Sequence, residues 1–306
     1  MCVTLQRVDA ARSLALAPAP LTGRPAGVGL AVASMVTIQL GAALSEPLFD
    51  RVGPAGLVAL RLTLAALLLW PVARPRLRGR TRADRYAAVA LGGVSGLLTL
   101  AFFEAIARIP LGVAVTIEFL GPLGVALAGS HRARDVAWVA LAGSGVALLT
   151  LGHGAGEPLD ALGVGFACVS GTCWAAYIVL TKRVGARWAG LEGLSISLIV
   201  AAVVTLPVGL ASGGAELAEP EVLLAGVGLA LLIPLLPYAF ELIALRRLTT
   251  ALFGVIMSLE PAIAAVLGFL ILDQRLAASG VIAIALVSLA SAGATVSSPI
   301  APLDTR

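Results

Sequence analysis

An eight-residue string near the start of the chain, Gly27-Val28-Gly29-Leu30-Ala31-Val32-Ala33-Ser34, returns as Gly163-Val164-Gly165-Phe166-Ala167-Cys168-Val169-Ser170, with five identities at an offset of 136. The register persists downstream. Pro71-Val72 corresponds to Pro207-Val208 at 136, Phe103-Glu104 to Phe240-Glu241 at 137, and Gly121-Pro122 to Glu260-Pro261 at 139, a drift that small insertions explain. Each copy holds five long apolar stretches. An odd number of crossings forces the second copy to enter a bilayer from the opposite side to the first, the layout of many alternating-access transporters.

The apolar stretches are membrane spans on composition alone. Of 306 residues, 59% are hydrophobic and 12% charged, against a charged share of about 25% in soluble domains. Hydropathy, with Pro, Gly and charge as punctuation, places spans near 27–45, 54–73, 86–107, 111–129, 136–152, 161–181, 191–211, 222–243, 249–270 and 277–296. Ten spans of about 20 residues use roughly 200 positions, leaving no room for a soluble catalytic domain. The fold expected is an all-α membrane protein of ten transmembrane helices, built as two inverted five-helix repeats. The repeats cover 27–152 and 161–297, between a disordered cytoplasmic tail over 1–26 and a second cytoplasmic tail over 298–306.

Charge sets the orientation. With the N-terminus in the cytoplasm, 17 of the 21 Lys and Arg residues fall on the cytoplasmic side, three (Arg51, Arg108 and Arg275) on the other, and Arg61 within a span. That asymmetry predicts both termini in the cytoplasm. The basic balance thus reflects topology and contact with anionic lipids, and no nucleic acid is expected. Cys168 and Cys173, five apart on one helix, are too distant to bridge and read as packing residues. His131 and His153 lie in separate loops without companions at ligand spacing, so no metal and no other cofactor is expected.

Five ionisable residues stand inside spans: Arg61, Glu104, Glu118, Glu241 and Glu260. Each costs about 2.5–3.5 kcal/mol on insertion scales if left against lipid, so each should face the bundle interior. In the expected topology Glu118 and Glu260 fall near the midplane, while Glu104 and its repeat mate Glu241 fall near opposite mouths. The outer two are also placed to snorkel to water or cap neighbouring helices. Gly121, Pro122 and Pro261 mark helix breaks at matched positions. Proline lacks the amide that bonds four residues back, so the carbonyls of Glu118 and Met257 lose their helical donors, an arrangement tolerated where backbone lines a cavity. Arg61 is expected to pair with an intramembrane carboxylate, or else to attract a substrate carboxylate. Gln39, Trp174 and Tyr177 could add hydrogen bonds and an aromatic wall, although aromatic residues on such helices more often serve packing or the interfacial belt.

The runs Phe103-Glu104-Ala105-Ile106-Ala107-Arg108-Ile109-Pro110, Glu118-Phe119-Leu120-Gly121-Pro122 and Ser258-Leu259-Glu260-Pro261-Ala262-Ile263-Ala264-Ala265 resemble the EamA family of the drug/metabolite transporter superfamily, over about residues 27–297. Within that family the resemblance is to the threonine and homoserine exporter branch of the bacterial inner membrane. It implies a substrate cavity between two EamA-like halves and export of small metabolites driven by the proton gradient. Members often carry Gly-Glu at the ends of spans 4 and 9, where this chain has Ser130-His131 and Leu272-Asp273. No Gly-x-x-x-x-Gly-Lys run exists to support direct ATP drive. The expectation is a non-enzymatic secondary transporter in the bacterial cytoplasmic membrane, exporting small neutral amino acids or related metabolites by proton antiport. Its partners would be the small-molecule substrate, protons and membrane lipids, with a homodimer as one assembly open to it. Two alternatives stand beside it: export of drugs or other metabolites, and an intramembrane lipid-modifying enzyme, for which the chain lacks a recognisable catalytic motif.

Overall fold

Backbone amides in lipid have no water to bond, so long apolar stretches close their hydrogen bonds internally as helices. The structure, a computed structural model, describes residues 24–75, 79–128, 133–151, 159–188, 191–245 and 247–297, and every regular element among them is helical. The helices are α1 (Arg24–Ser45), α2 (Phe49–Ala73), α3 (Arg82–Ile106), α4 (Leu111–Glu118), α5 (Leu120–Leu127), α6 (Ala133–Leu151), α7 (Ala161–Gly185), α8 (Glu192–Gly213), α9 (Pro220–Ala230), α10 (Leu236–Leu245), α11 (Thr250–Met257), α12 (Glu260–Leu272) and α13 (Ala278–Ser297). A π-helical turn at Leu231–Leu235, centred on Pro234, joins α9 to α10. Most of both tails, together with His131 and His153, lies outside the described residues.

Among the described residues, seven helical runs are long and apolar enough to cross a bilayer. One of them, Pro25–Ala73, is 49 residues long and holds both α1 and α2. A straight helix of that length would measure about 74 Å, more than twice a hydrocarbon core. It is interrupted by the 3₁₀ turn at Glu46–Leu48 and by Gly53, whose φ of 67° and ψ of 160° leave the helical region. A Cβ on Gly53 would also lie 2.1 Å from the Ser212 hydroxyl, so this corner requires glycine. The stretches expected as spans 4 and 5 are shorter apolar helices, Leu111–Val125 and Val136–Leu148. α1 begins at Arg24, so residues 24–26, expected in the tail, form its first turn. Pro25 suits that place because first-turn amides have no helical acceptor.

The helix ends follow local chemistry. Thr81 and Asp84 form a reciprocal capping box at the start of α3, and the Asp160 carboxylate accepts from the Leu162 amide at 2.9 Å to start α7. Gln274 ties three links together: it accepts from the Leu111 amide at 2.9 Å and donates to Glu46 at 3.2 Å, while its own amide bonds Gly268.

The most extensive packing joins helices before residue 152 to helices after residue 160: α2 with α8, α3 with α7 and α8, α6 with α13, α1 with α10, and α4 with α12. The two portions of the chain interleave, and the principal core runs between them, with Phe103, Leu57, Leu111 and Ile117 fully buried. Lipid is as apolar as leucine, so helix association there relies on close approach. Small residues supply it. Gly56 meets Gly213, Gly92 meets Val200 and the Ser197 carbonyl, Gly112 meets Ala265, and Gly145 meets the Ala283 carbonyl. Gly93, Gly143 and Gly228 face open space and contribute no such contact. Leu67, Val72, Leu224 and Leu270 project outward, an apolar belt suited to lipid.

Candidate functional site

The helix breaks fall beside the acids. α4 ends at Glu118 and α5 begins at Leu120, so the first interruption is at Phe119, three residues before Pro122. α11 ends at Met257 and α12 begins at Glu260, with Pro261 in its first turn, where a missing amide costs nothing. The two acids therefore sit on opposite sides of their breaks. Glu118 closes the helix before the gap and Glu260 opens the helix after it.

Both are almost fully buried, at 6% and 3% exposure, and each has one hydrogen-bond donor. The Ser170 hydroxyl of α7 donates to Glu118 Oε1, and the Gln39 amide of α1 donates to Glu260 Oε1 at 3.0 Å. Glu241 on α10 accepts from the Ser34 hydroxyl of α1 at 2.7 Å. Glu118 and Glu241 both lie within electrostatic reach of Glu260, so three carboxylates share one interior. Among the described residues, Glu260 Oε2 and Gln39 Oε1 are buried with no partner.

The other expected residues divide. Glu104 does not join this group. It forms an ion pair with Arg108 one turn on, and Arg108 also lies 3.8 Å from Asp160 and over the Phe166 ring. Glu241, its match in the sequence pattern, has no cation partner among the described residues and accepts from a hydroxyl instead. Arg61 is 3% exposed, yet among the described residues it has no ion pair. The expected carboxylate partner is replaced by the Phe103 ring, 4.8 Å from the guanidinium carbon, while Nε is left without an acceptor. Trp174 packs edge-on against Phe119 at the first break, with ring centroids 5.4 Å apart. Tyr177 lies within electrostatic reach of Glu241. Cys173 is buried and Cys168 exposed, both as free thiols.

Two apolar grooves open on the outside of the bundle. One, between α12 and α13, is lined by Ala262, Phe269 and Ile284, and the other, between α2 and α8, by Thr63, Trp70 and Leu206. No carboxylate lines either, and their near-absence of polar groups suits lipid chains better than a polar solute.

Sequence reading did not single out Ser34, Ser170 or Gly171. The signal was nonetheless present, because Ser34 and Ser170 are the matched last letters of the repeated octad. Gly171 follows, and a Cβ there would lie 2.8 Å from the Glu118 carbonyl. A Cβ on Gly121 would lie 2.0 Å from the Gly171 carbonyl. The first break is thus pressed backbone to backbone against α7.

Comparison with known proteins places the chain in a family. The EamA-like transporter family matches residues 161–296. The threonine/homoserine exporter RhtA of Salmonella typhimurium (strain SL1344) is 38% identical over 263 residues, covering 86% of this chain and 88% of the relative. RhtA of Escherichia coli (strain K12) is 39% identical over 267 residues, with the same coverage. A solved crystal structure shares the fold with a TM-score of 0.60 at 20% identity, covering 90% of this chain and 98% of that one. An all-helical bundle with apolar runs of bilayer length, buried acids at two helix interruptions, and this level of identity across most of the chain make it a member of the EamA-like transporter family.

Proposed function

We propose that the chain is a secondary exporter of small neutral amino acids of the threonine and homoserine kind. It would work by proton antiport and alternating access between two inverted five-helix halves, in the bacterial inner membrane with both termini cytoplasmic. The observation that carries the reading is that each buried acid is bonded by the opposite half. Ser170 holds Glu118 across 52 positions, Ser34 holds Glu241 across 207, and Gln39 holds Glu260 across 221. A proton gained or lost at these carboxyls changes the adhesion between the halves, which is the quantity a rocking transporter must control.

Charge pairs at the two ends of the bundle support the inverted relation. Arg51 lies 3.2 Å from Glu221, and Arg187 lies 3.0 Å from Asp84. Arg187 follows Arg51 by 136 positions and Glu221 follows Asp84 by 137, the same offsets as the repeat. One pair stands at the start of α2, and the other stands beside the start of α3, beyond the far end of α2. The packing of α3 on α7 is likewise mirrored by that of α10 on α1.

The two central acids take different parts. The carbonyl end of α4 opposes negative charge at Glu118, and the amide end of α12 favours it at Glu260. Glu118 is accordingly the proton carrier and Glu260 the anion that meets substrate. In proteoliposomes, labelled threonine should move against its gradient when a pH difference is imposed. Glu118→Gln should abolish that drive while keeping threonine–threonine exchange, and Glu260→Gln should weaken both. A Glu118→Gln, Glu260→Gln double variant that transports like wild type, pH drive included, would overturn the assignment.

A further inference from the structure

Two buried acceptor atoms, carried by a hydrogen-bonded pair of side chains at the second break, have no donor among the described residues. Gln39 is 2% exposed and Glu260 3%, and the bond from Gln39 Nε2 to Glu260 Oε1 leaves Gln39 Oε1 and Glu260 Oε2 unpartnered. The orientation of the amide follows from charge, because turning its oxygen toward the carboxylate would set acceptor against acceptor. An unfilled buried acceptor is costly, and native structures leave few of them without a ligand, water or functional role. The chemistry that satisfies such a set is a compact cation with several N–H donors.

We propose that Gln39 and Glu260 form the subsite for the primary ammonium group of the substrate, with Gln39 Oε1 and Glu260 Oε2 each accepting one of its N–H bonds. This rests on the exporter reading above and adds the group by which a substrate is selected. The first break offers no counterpart. Its acid already holds Ser170, the matching residue to Gln39 is Ala175, and the glycine contact of α5 with α7 closes the space. Export therefore has one ammonium site per chain, and substrates lacking a free amine are rejected because both acceptors stay empty.

The test uses full-length protein in proteoliposomes, with homoserine, N-acetylhomoserine and the hydroxy-acid analogue of homoserine as probes. Wild type should carry homoserine and neither analogue. Gln39→Met, of similar size and apolar, should raise the KM for homoserine by about tenfold to a hundredfold, the value of a hydrogen bond to a charged group. Gln39→Glu, which keeps acceptor oxygens, should retain the preference for the free amine. Thermal melting in detergent identifies variants that fold, and only those are compared. A folded Gln39→Met protein with wild-type KM, or wild type that carries the hydroxy acid as well as homoserine, would overturn the subsite and leave the exporter reading intact. Wild type that carries none of these solutes, threonine included, would instead defeat the exporter reading. Stabilisation by NaCl over KCl without amino acid would assign the acceptors to a bound sodium ion and overturn the ammonium assignment.

Discussion

The two helix breaks stand at matched positions of the recurring sequence pattern, and they are built differently. At the first, Gly171 lets α7 reach the backbone of Glu118, Ser170 caps the acid, and Trp174 covers Phe119. At the second, the residue matching Gly171 is Met35, fully buried in a cluster with Ile256 and beside Met257. The acid there is reached by a longer side-chain amide, that of Gln39, and an acceptor on each of the two side chains has no partner among the described residues. Glycine against methionine at matched positions thus accompanies backbone contact at the first interruption and unfilled acceptors at the second.

The largest consequence concerns the sealed side. Gly121→Ala sets a methyl 2.0 Å from a backbone carbonyl that cannot rotate away, and should cost about 3 kcal/mol in thermal or denaturant unfolding in detergent. Met35→Leu, a volume-conserving change beside the other break, should stay under about 1.5 kcal/mol. Equal losses would remove the claimed distinction between the two gaps. Next come the hydroxyl donors. Ser170→Ala takes the one donor from an acid that is almost fully buried and should cost about 2–3 kcal/mol, against about 1–2 for Ser34→Ala, whose partner Glu241 is less buried. The reverse order would shift the load to Glu241. The smallest effects belong to the ends of the bundle. Arg51→Ala deletes two exposed ion pairs and should leave melting temperature and transport unchanged, as should raised salt, while Arg187→Ala takes an exposed arginine from the buried Asp84, which keeps its Thr81 cap, and should cost no more than about 1 kcal/mol. A marked loss in either variant would make those pairs part of the machinery.

The acids and prolines were legible because they violate what lipid permits. A carboxylate or a missing amide within an apolar run is costly enough to be noticed residue by residue. Of their partners, Gln39 was legible as a hydrogen-bonding candidate, whereas Ser34, Ser170 and Gly171 were not, because serine and glycine are unremarkable on membrane helices and act here across separations of 52 to 207 positions. Arg61 shows the limit plainly. A buried arginine among four buried or half-buried glutamates reads as half of an ion pair, whereas the bundle places it over Phe103, pairs Glu104 with Arg108 and turns the other three acids toward α1 and α7. Glu104 and Glu241, matched in sequence, part in the same way, since Arg108 follows only the first of them by four residues.

Sequence by itself determined that the chain is helical, lies in a membrane, repeats its pattern, and carries acids beside proline breaks. Apolar length, backbone chemistry and the energetic cost of buried charge are properties of short segments and need no fold to be read. Which helices from the two portions interleave, which acid meets which donor, and which break leaves acceptors unfilled were decided only by tertiary packing. Those outcomes depend on the distance of closest approach between distant helices, and the presence or absence of one side chain at a crossing sets that distance.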